Sequence, residues 1–323
     1  MKYFINLESS LVYNKYMKII GIETSHDDTS IAVIENGEVK VMITYSQIEE
    51  HAKFGGVVPE IASREHAMNV AIVLEQIKEK INIDDVDLVA YTKEPGLIGA
   101  LHMGSLLAHG IAFALEVEIK PINHLTGHIF SSAINHEISY PAIALVVSGG
   151  HSQIMLANSP TDIQIVGQTQ DDAVGETYDK VARKLELGYP GGPHIDKIAK
   201  GYTPTLEFPI PMNDKTLNLS FSGLKSHVIN YIHNNKQKGI EIDKKEIAAA
   251  FQIAAVTSLM NKTKLAIKKY NPKCIILAGG VSANSMVREK FVELHENAII
   301  PNLKYATDNG AMIAKTAEIL YSK

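Results

Sequence analysis

Ala142-Ile143-Ala144-Leu145-Val146-Val147-Ser148-Gly149-Gly150-His151-Ser152-Gln153-Ile154-Met155-Leu156 is the stretch that decides the fold. Six apolar residues, a short Ser/Gly/Gly/His turn and a second, largely apolar run read as two buried strands joined by a tight connection. The same pattern stands earlier in the chain. Lys18 to Ile22 is a strand, Glu23 to Ser30 a polar loop, and Ile31 to Ile34 a second strand. A chain that opens both halves with such a pair and continues with alternating helices and strands is α/β, with a duplicated architecture.

Outward from these pairs the elements fall in order. Asn36-Gly37 predicts a two-residue hairpin turn into Glu38 to Ile43. Periodicity predicts a helix over 61–81, a strand over 86–90, a core helix over 97–115, a strand over 119–122 and a helix from His124. In the second half, helices are expected near 173–187, 223–235 and 244–270. A strand at Cys274 to Ala278, a helix from Asn284 and a last helix from Asp308 follow. Tyr189-Pro190-Gly191-Gly192-Pro193 reads as a stiff loop rather than a helix. Residues 1–16 carry little pattern and read as a poorly ordered extension, with Met17 as the working start.

Composition narrows the function. With 323 residues, 46% hydrophobic and 21% charged, the chain can build two full cores and is not disordered. A formal charge of −5 gives no global basic footprint, so a nucleic-acid partner needs a local patch. Lys180, Arg183 and Lys184 are candidates for one. The single cysteine, Cys274, excludes an internal disulfide and a cysteine-built zinc site and fits a reducing cytoplasm. Leu97 to Leu115 lacks any charged side chain, but its three glycines and two histidines favour a buried core helix over a membrane span.

Three groups of residues carry chemistry. His124 and His128, at i and i+4, share a helix face and can grip one metal ion, although surface or core histidines show the same spacing by chance. Leu125 stands where a zinc protease needs its glutamate. Asp308 is the expected carboxylate ligand, the alternative being a plain helix cap. Ser148-Gly149-Gly150 and Gly279 to Asn284 are glycine-rich turns after apolar strands, suited to phosphate or nucleotide but equally to ordinary turns. Glu176, Asp179 and Asp196 flank the Pro-Gly-Gly-Pro segment, where carboxylates can take ribose hydroxyls or simply be solvated. Glu23 and Asp27, in the first polar loop, are the catalytic candidates, able to orient a nucleophile or a metal-bound water unless the loop is only a capped turn.

Read in order, the motifs resemble one family. They are Gly21-Ile-Glu-Thr-Ser-His-Asp-Asp-Thr29, Phe54-Gly-Gly-Val-Val-Pro-Glu-Ile-Ala-Ser-Arg-Glu-His66, Pro95-Gly-Leu97, His124-x3-His128, Val147-Ser-Gly-Gly-His151, Asp171-Asp-Ala-Val-Gly-Glu-Thr-Tyr-Asp-Lys180, Gly188-Tyr-Pro-Gly-Gly-Pro193, Ser220-Phe-Ser-Gly-Leu-Lys225, Ala278-Gly-Gly-Val-Ser-Ala-Asn284 and Thr307-Asp-Asn309. From Met17 onward the chain resembles the TsaD family of tRNA threonylcarbamoyl-adenosine synthases, formerly called glycoproteases. The resemblance implies the two-lobed fold of actin, sugar kinases and chaperone ATPases, with an interlobe cleft. The lobes would be 17–140 and 141–307, with the helix of 308–323 packing back on the first.

It also implies transfer of threonylcarbamoyl from threonylcarbamoyl-AMP to the exocyclic amine of the adenosine beside the anticodon in tRNAs reading ANN codons, with release of AMP. One divalent ion, iron(II) or zinc, would sit on His124, His128 and Asp308. Val147, Ser148, Gly149, Gly150 and His151 would contact the phosphate and carbamate, and Asp179, Gly192, Asp196 and Asn284 the nucleoside. Implied partners are tRNA, a paralogous scaffold subunit (TsaB) and an ATPase subunit (TsaE), in the cytoplasm and away from any membrane. Three positions depart from the family pattern: His26 replaces the usual Cys, His109 a common Lys, and Gly310 an Ala. The competing functions are an ATP-dependent phosphotransferase or ATPase of the same fold, a metalloprotease already weakened by Leu125, and a non-catalytic scaffold paralogue, for which the histidine pair would be out of place.

Overall fold

The computed structural model describes residues 17–321, so the expectation for residues 1–16 lies outside the described residues. The first half contains β1 (Lys18–Glu23), β2 (Asp28–Glu35), β3 (Glu38–Ser46), α1 (Ile48–Ala52), α2 (Pro59–Lys78), β4 (Leu88–Glu94), α3 (Ile98–Leu115), β5 (Glu118–Asn123) and α4 (His124–Ser131). The second contains β6 (Ala142–Val147), β7 (Ser152–Ser159), β8 (Asp162–Gln168), α5 (Val174–Lys184), α6 (Gly191–Ala199), α7 (Ser222–Gln237), α8 (Lys244–Tyr270), β9 (Cys274–Ala278), α9 (Ser285–Val292), β10 (Ala298–Ile299) and α10 (Gly310–Tyr321).

The duplication is visible strand by strand. One sheet runs β3-β2-β1-β4-β5 and the other β8-β7-β6-β9-β10. In each, the first three strands form an antiparallel meander and the next two join in parallel. Asn36 and Gly37 both adopt positive φ (54° and 81°), the geometry of a hairpin turn whose twist suits its strands.

Both faces of each sheet are covered, which explains why every residue of β1 and β6 is buried. Ile20, Ile22, Ile31 and Val33 face α2 and α3 through Val73, Ile77, Ala108 and Ile111. Ile19, Ile34, Leu88 and Ala90 face α10 through Met312, Ile313, Ala314 and Ala317. In the second sheet Ile143, Leu145 and Val147 pack with Tyr178, Val181, Phe251 and Leu259 on one side. Ala142, Ala144 and Val146 pack with Leu125, Ile129 and Phe130 of α4 on the other. Helices α4 and α10 also touch each other, so they lie back to back between the two sheets. This places the first residue of α4 and the residues just before α10 between the halves.

Three sequence expectations are corrected. Helix α3 is not a core helix: only 28% of it is buried, with Phe113 88% and Leu106 69% exposed. Its small residues Ala100, Gly104 and Ala108 form the buried stripe, while the apolar side chains that suggested burial lie on the opposite face. By length and composition it is long and apolar enough to cross a membrane, but it lies along α2 and β4. The Gly191-Gly192-Pro193 segment is the first turn of α6, with Pro190 at its N-cap. A proline is tolerated there because first-turn N–H groups have no intrahelical acceptor. Finally, α10 starts at Gly310, two residues later than expected.

Candidate metal centre and interlobe cleft

Asn123 begins the site. Its side chain accepts hydrogen bonds from Leu125 N and Thr126 N (3.0 and 3.1 Å), capping α4 and fixing His124 as its first residue. His128 follows one turn later on the same face, and the two rings meet edge to face at 4.6 Å. Asp308 reaches them from the loop before α10. That helix is capped by the neighbouring Asn309, whose Oδ1 accepts from Met312 N at 2.9 Å. The alternative role for Asp308 is therefore filled by another residue. Its Oδ1 lies 3.1 Å from His128 Nε2 and 3.7 Å from His124 Nε2.

The three ligand atoms lie within 4.8 Å of one another. His128 is fully buried and neither of its ring nitrogens makes a hydrogen bond; its Nε2 is close to Asp308 but poorly aligned with it. A buried imidazole without a partner is costly unless a ligand satisfies it. Two imidazole nitrogens and one carboxylate oxygen suit a borderline divalent ion such as zinc or iron(II).

Glu23 completes this arrangement from β1. It is fully buried, and Oε2 lies 3.0 Å from His124 Nδ1 while accepting from Thr92 Oγ1 (2.5 Å). Oε1 accepts from Ser25 N at 2.5 Å, and Ser25 Oγ lies 3.1 Å from the same imidazole nitrogen. Burial pushes the Glu23 carboxyl up, but the His124 charge and hydrogen bond outweigh it and hold the group ionised. Burial lowers the His124 pKa, while Glu23 and Asp308 together push it up to about 9. With Nδ1–H directed at Glu23, His124 presents Nε2 toward Asp308, so the carboxylate fixes the tautomer that a metal-ligating imidazole needs. Sequence reasoning placed Glu23 in the loop as a catalytic candidate; the structure places it behind His124.

The two glycine turns are brought together because β6 and β9 are parallel neighbours and both end at the same edge. Gly279 has φ +85°, and a Cβ there would lie 2.4 Å from Val147 O, so the turns touch through backbone. Ser148 N donates to His151 O (2.8 Å), and Ser148 Oγ accepts from His151 N (3.1 Å). Gly149 and Gly150 are exposed and face open space. Burial holds the His151 pKa below its ordinary value, reinforced by the charges of His124 and His128, which places this turn near the triad.

Asp179 on α5 accepts from Gly191 N at 2.7 Å, and burial raises its pKa. Gly192 faces open space. Asp196 and Asn284 lie together, linked through Gln252: Asp196 accepts from Gln252 Nε2 (3.1 Å), Ser285 Oγ (2.8 Å) and Ser285 N (3.0 Å), and Asn284 Nδ2 donates to Gln252 Oε1 (2.8 Å). Asn284 Oδ1 also caps α9 through Val287 N. Gln252, Ser25 and Thr92 were not expected; single polar residues within apolar or motif-rich segments carry no spacing signal. Asp27 sits at the end of the β1–β2 loop against His26. Of the basic candidates, Lys180 pairs with Glu176 and Asp172, and Arg183 of α5 donates to Gly55 O in the loop after α1; Lys184 has no such partner among the described interactions.

The model of the TsaD family, tRNA N6-adenosine threonylcarbamoyltransferase, matches residues 38–315. A tRNA N6-adenosine threonylcarbamoyltransferase of Mycoplasmopsis agalactiae is 57% identical over 93% of this chain and 98% of its own length. One of Bacillus cereus is 44% identical over 97% and 94%. Among solved structures, T. kodakarensis HypF superposes with a TM-score of 0.62 at 13% identity, covering 95% of this chain; the chain spans about half (47%) of HypF. The activator of 2-hydroxyisocaproyl-CoA dehydratase from Clostridium difficile superposes with a TM-score of 0.54 at 14% identity, over 95% of this chain and 96% of the activator. These two likenesses concern the fold, the two-lobed α/β architecture of actin and sugar kinases. The chain belongs to the TsaD family of tRNA N6-adenosine threonylcarbamoyltransferases.

Proposed function

We propose that this chain transfers the threonylcarbamoyl group of threonylcarbamoyl-AMP to the exocyclic amine of the adenosine beside the anticodon of ANN-reading tRNAs, releasing AMP, in the cytoplasm. The observation that carries the reading is the convergence of His124, His128 and Asp308, with the Ser148–His151 turn within electrostatic reach of the two histidines and Asp179 within reach of His26 and Asp27. A divalent ion, iron(II) or zinc, on the triad would supply Lewis acidity toward the acyl oxygen. The exposed backbone N–H groups of Gly149 and Gly150 would hold the phosphate. Asp179, with Gly192 beside it, would accept a nucleoside hydroxyl, while Asp196 and Asn284, tied through Gln252, keep α6 and α9 in register around that group. Holding the weakly basic amine against the acyl carbon then lowers the barrier chiefly by positioning.

Asp179→Ala is expected to raise KM for threonylcarbamoyl-AMP roughly 10- to 150-fold, because a charge-assisted hydrogen bond contributes about 1.5–3 kcal/mol. The turnover number should change little. Since Gly191 N also loses its acceptor, a melting curve accompanies the kinetics. The deciding assay supplies the acyl-adenylate and unmodified tRNA and follows AMP release together with modified adenosine. ATP consumption with γ-phosphate transfer to a small acceptor, and no modified adenosine, would instead establish the phosphotransferase alternative.

For partners, we propose tRNA, a paralogous scaffold subunit (TsaB) and an ATPase subunit (TsaE). The scaffold reading is supported by the apolar groove between α2 and α3, lined by Ala67, Val70, Leu74, Met103, Leu106 and Leu107, and by the exposed Phe113 of α3. Leu106→Glu combined with Phe113→Glu should weaken association with that subunit at least tenfold in size-exclusion and titration experiments. Both side chains lie at the surface, so metal content should not change. Unaltered association would move the docking surface elsewhere.

A further inference from the structure

We infer that His26 is the base that receives the proton of the attacking adenosine amine, and that Asp27 orients it. This rests on the transferase reading above and names a residue which that reading leaves without a role.

The β1–β2 loop holds His26 in one position. Leu97 N donates to Ser25 O (2.8 Å) and Gln47 N to Asp27 O (2.9 Å). Between them, fully buried His66 lies with Nε2 3.0 Å from His26 O and Nδ1 2.7 Å from Thr29 Oγ1. The His26 side chain is half-buried, with Nδ1 2.8 Å from Asp27 Oδ1. An imidazole that gives its Nδ1 proton to a carboxylate presents Nε2 as an acceptor, the arrangement of a base with its orienting acid. Nε2 makes no hydrogen bond to another described residue, and the His26 ring remains 44% exposed while Asp27 is 15% exposed.

The position is also right for the reaction. Ser25, the preceding residue, touches His124 of the triad. On the other side Asp179 of α5 lies within electrostatic reach of both His26 and Asp27. His26 thus stands between the triad, where the acyl group would lie, and the carboxylate proposed for the nucleoside.

The charged groups around it are Asp27 on its own loop, His51 of α1, His66 of α2, His124 of α4, Asp308 before α10, His151 after β6 and Asp179 of α5. Burial lowers the His26 pKa, but the hydrogen bond and charge of Asp27, aided by Asp308, outweigh it and leave it above the ordinary histidine value. Neutral His26, the basic form, therefore accumulates only at a pH above the ordinary histidine range.

The step balances without a further reactant. The N6 lone pair forms a bond to the carbamoyl carbon, and the bond from that carbon to the AMP oxygen breaks with its electron pair leaving on AMP. The N6 proton passes to His26 Nε2 and then to solvent.

The test measures formation of modified adenosine with saturating threonylcarbamoyl-AMP and unmodified tRNA from pH 5.5 to 9. His26→Ala should lower kcat by about 100-fold or more, with KM for both substrates and metal content retained. The ascending limb of the pH profile should disappear, and added imidazole should restore at least tenfold. Asp27→Asn should lower kcat less and move the limb to lower pH, a response that a merely structural contact does not produce. His26→Ala with kcat within threefold of the parent and the limb in place overturns the inference. The base would then be sought at Asp28, whose carboxyl burial pushes up to about 7. A rate loss that leaves the limb unmoved and resists imidazole also overturns it. If the parent chain and its partners form no modified adenosine, the transferase reading falls, and this inference falls with it.

Discussion

His128→Ala is expected to release nearly all bound metal and to lower the transfer rate by at least about two orders of magnitude. His128 is fully buried, its Nδ1 has no hydrogen-bond partner, and its Nε2 faces only Asp308, 3.1 Å away. Without it, only His124 and Asp308 remain of the three grouped ligands, and two ligands rarely hold a divalent ion against water. Loss of a supporting residue alone typically costs 10- to 100-fold in affinity, so loss of a ligand should exceed that. The cavity adds about 2–5 kcal/mol of destabilisation by analogy with other large-to-small changes. His128→Asn, closer in volume, therefore serves as the folding control. Metal content by elemental analysis, circular dichroism and modified adenosine are measured together. Full occupancy in a folded His128 variant would exclude the residue as a ligand.

The same site fixes the sign of a pH effect. In the metal-free protein His124 is pushed up to about 9, so below that pH an ion must displace its proton. Apparent affinity should rise with pH through the neutral range and level off near pH 9. Affinity falling over that range would contradict His124 as a ligand.

What the sequence revealed and what it hid divide by range. The paired histidines are four residues apart on one helix, and each glycine turn directly follows its strand, so local spacing exposes them. Glu23 and His124 are 101 residues apart, and their bond depends on how β1 meets α4. No local pattern encodes that. Gln252, which joins Asp196 to Asn284, is similarly hidden within a 27-residue helix. Edge strands β8 and β10 were also missed: β8 is largely exposed and β10 has two residues, too few for an alternating pattern to stand out. Helix α3 misleads for a different reason. Its uncharged surface imitates a core, and sequence does not distinguish apolar residues facing β4 from those facing solvent.

Gly21→Ala should be a strongly damaging small substitution, because it strikes the contact joining the first sheet to the metal site. A Cβ at Gly21 would lie 2.2 Å from Gly310 O, 2.5 Å from Ala314 N and 2.8 Å from Ala314 Cβ. The contact is reciprocal: a Cβ at Gly310 would lie 2.5 Å from Gly21 O and 2.6 Å from Ala32 N. Backbone meets backbone here, so no side chain can rotate away, and α10 must move as a body. Overpacking of this kind costs about 1–3 kcal/mol and sometimes more, and this site belongs at the upper end. At roughly 2–4 °C per kcal/mol, the melting point should fall by about 6–12 °C. Asp308 lies two residues before Gly310, so the same displacement should withdraw one ligand and lower metal occupancy. Gly110→Ala provides the opposite control, since it lies within α3 and nothing lies within 4 Å of its added Cβ. Replacing that glycine should stabilise the helix by about 0.5–1 kcal/mol without altering metal content. A Gly21→Ala protein that melts within about 2 °C of the parent and keeps its metal would show that α10 can withdraw from β1 without cost, and the backbone contact would lose its assigned role.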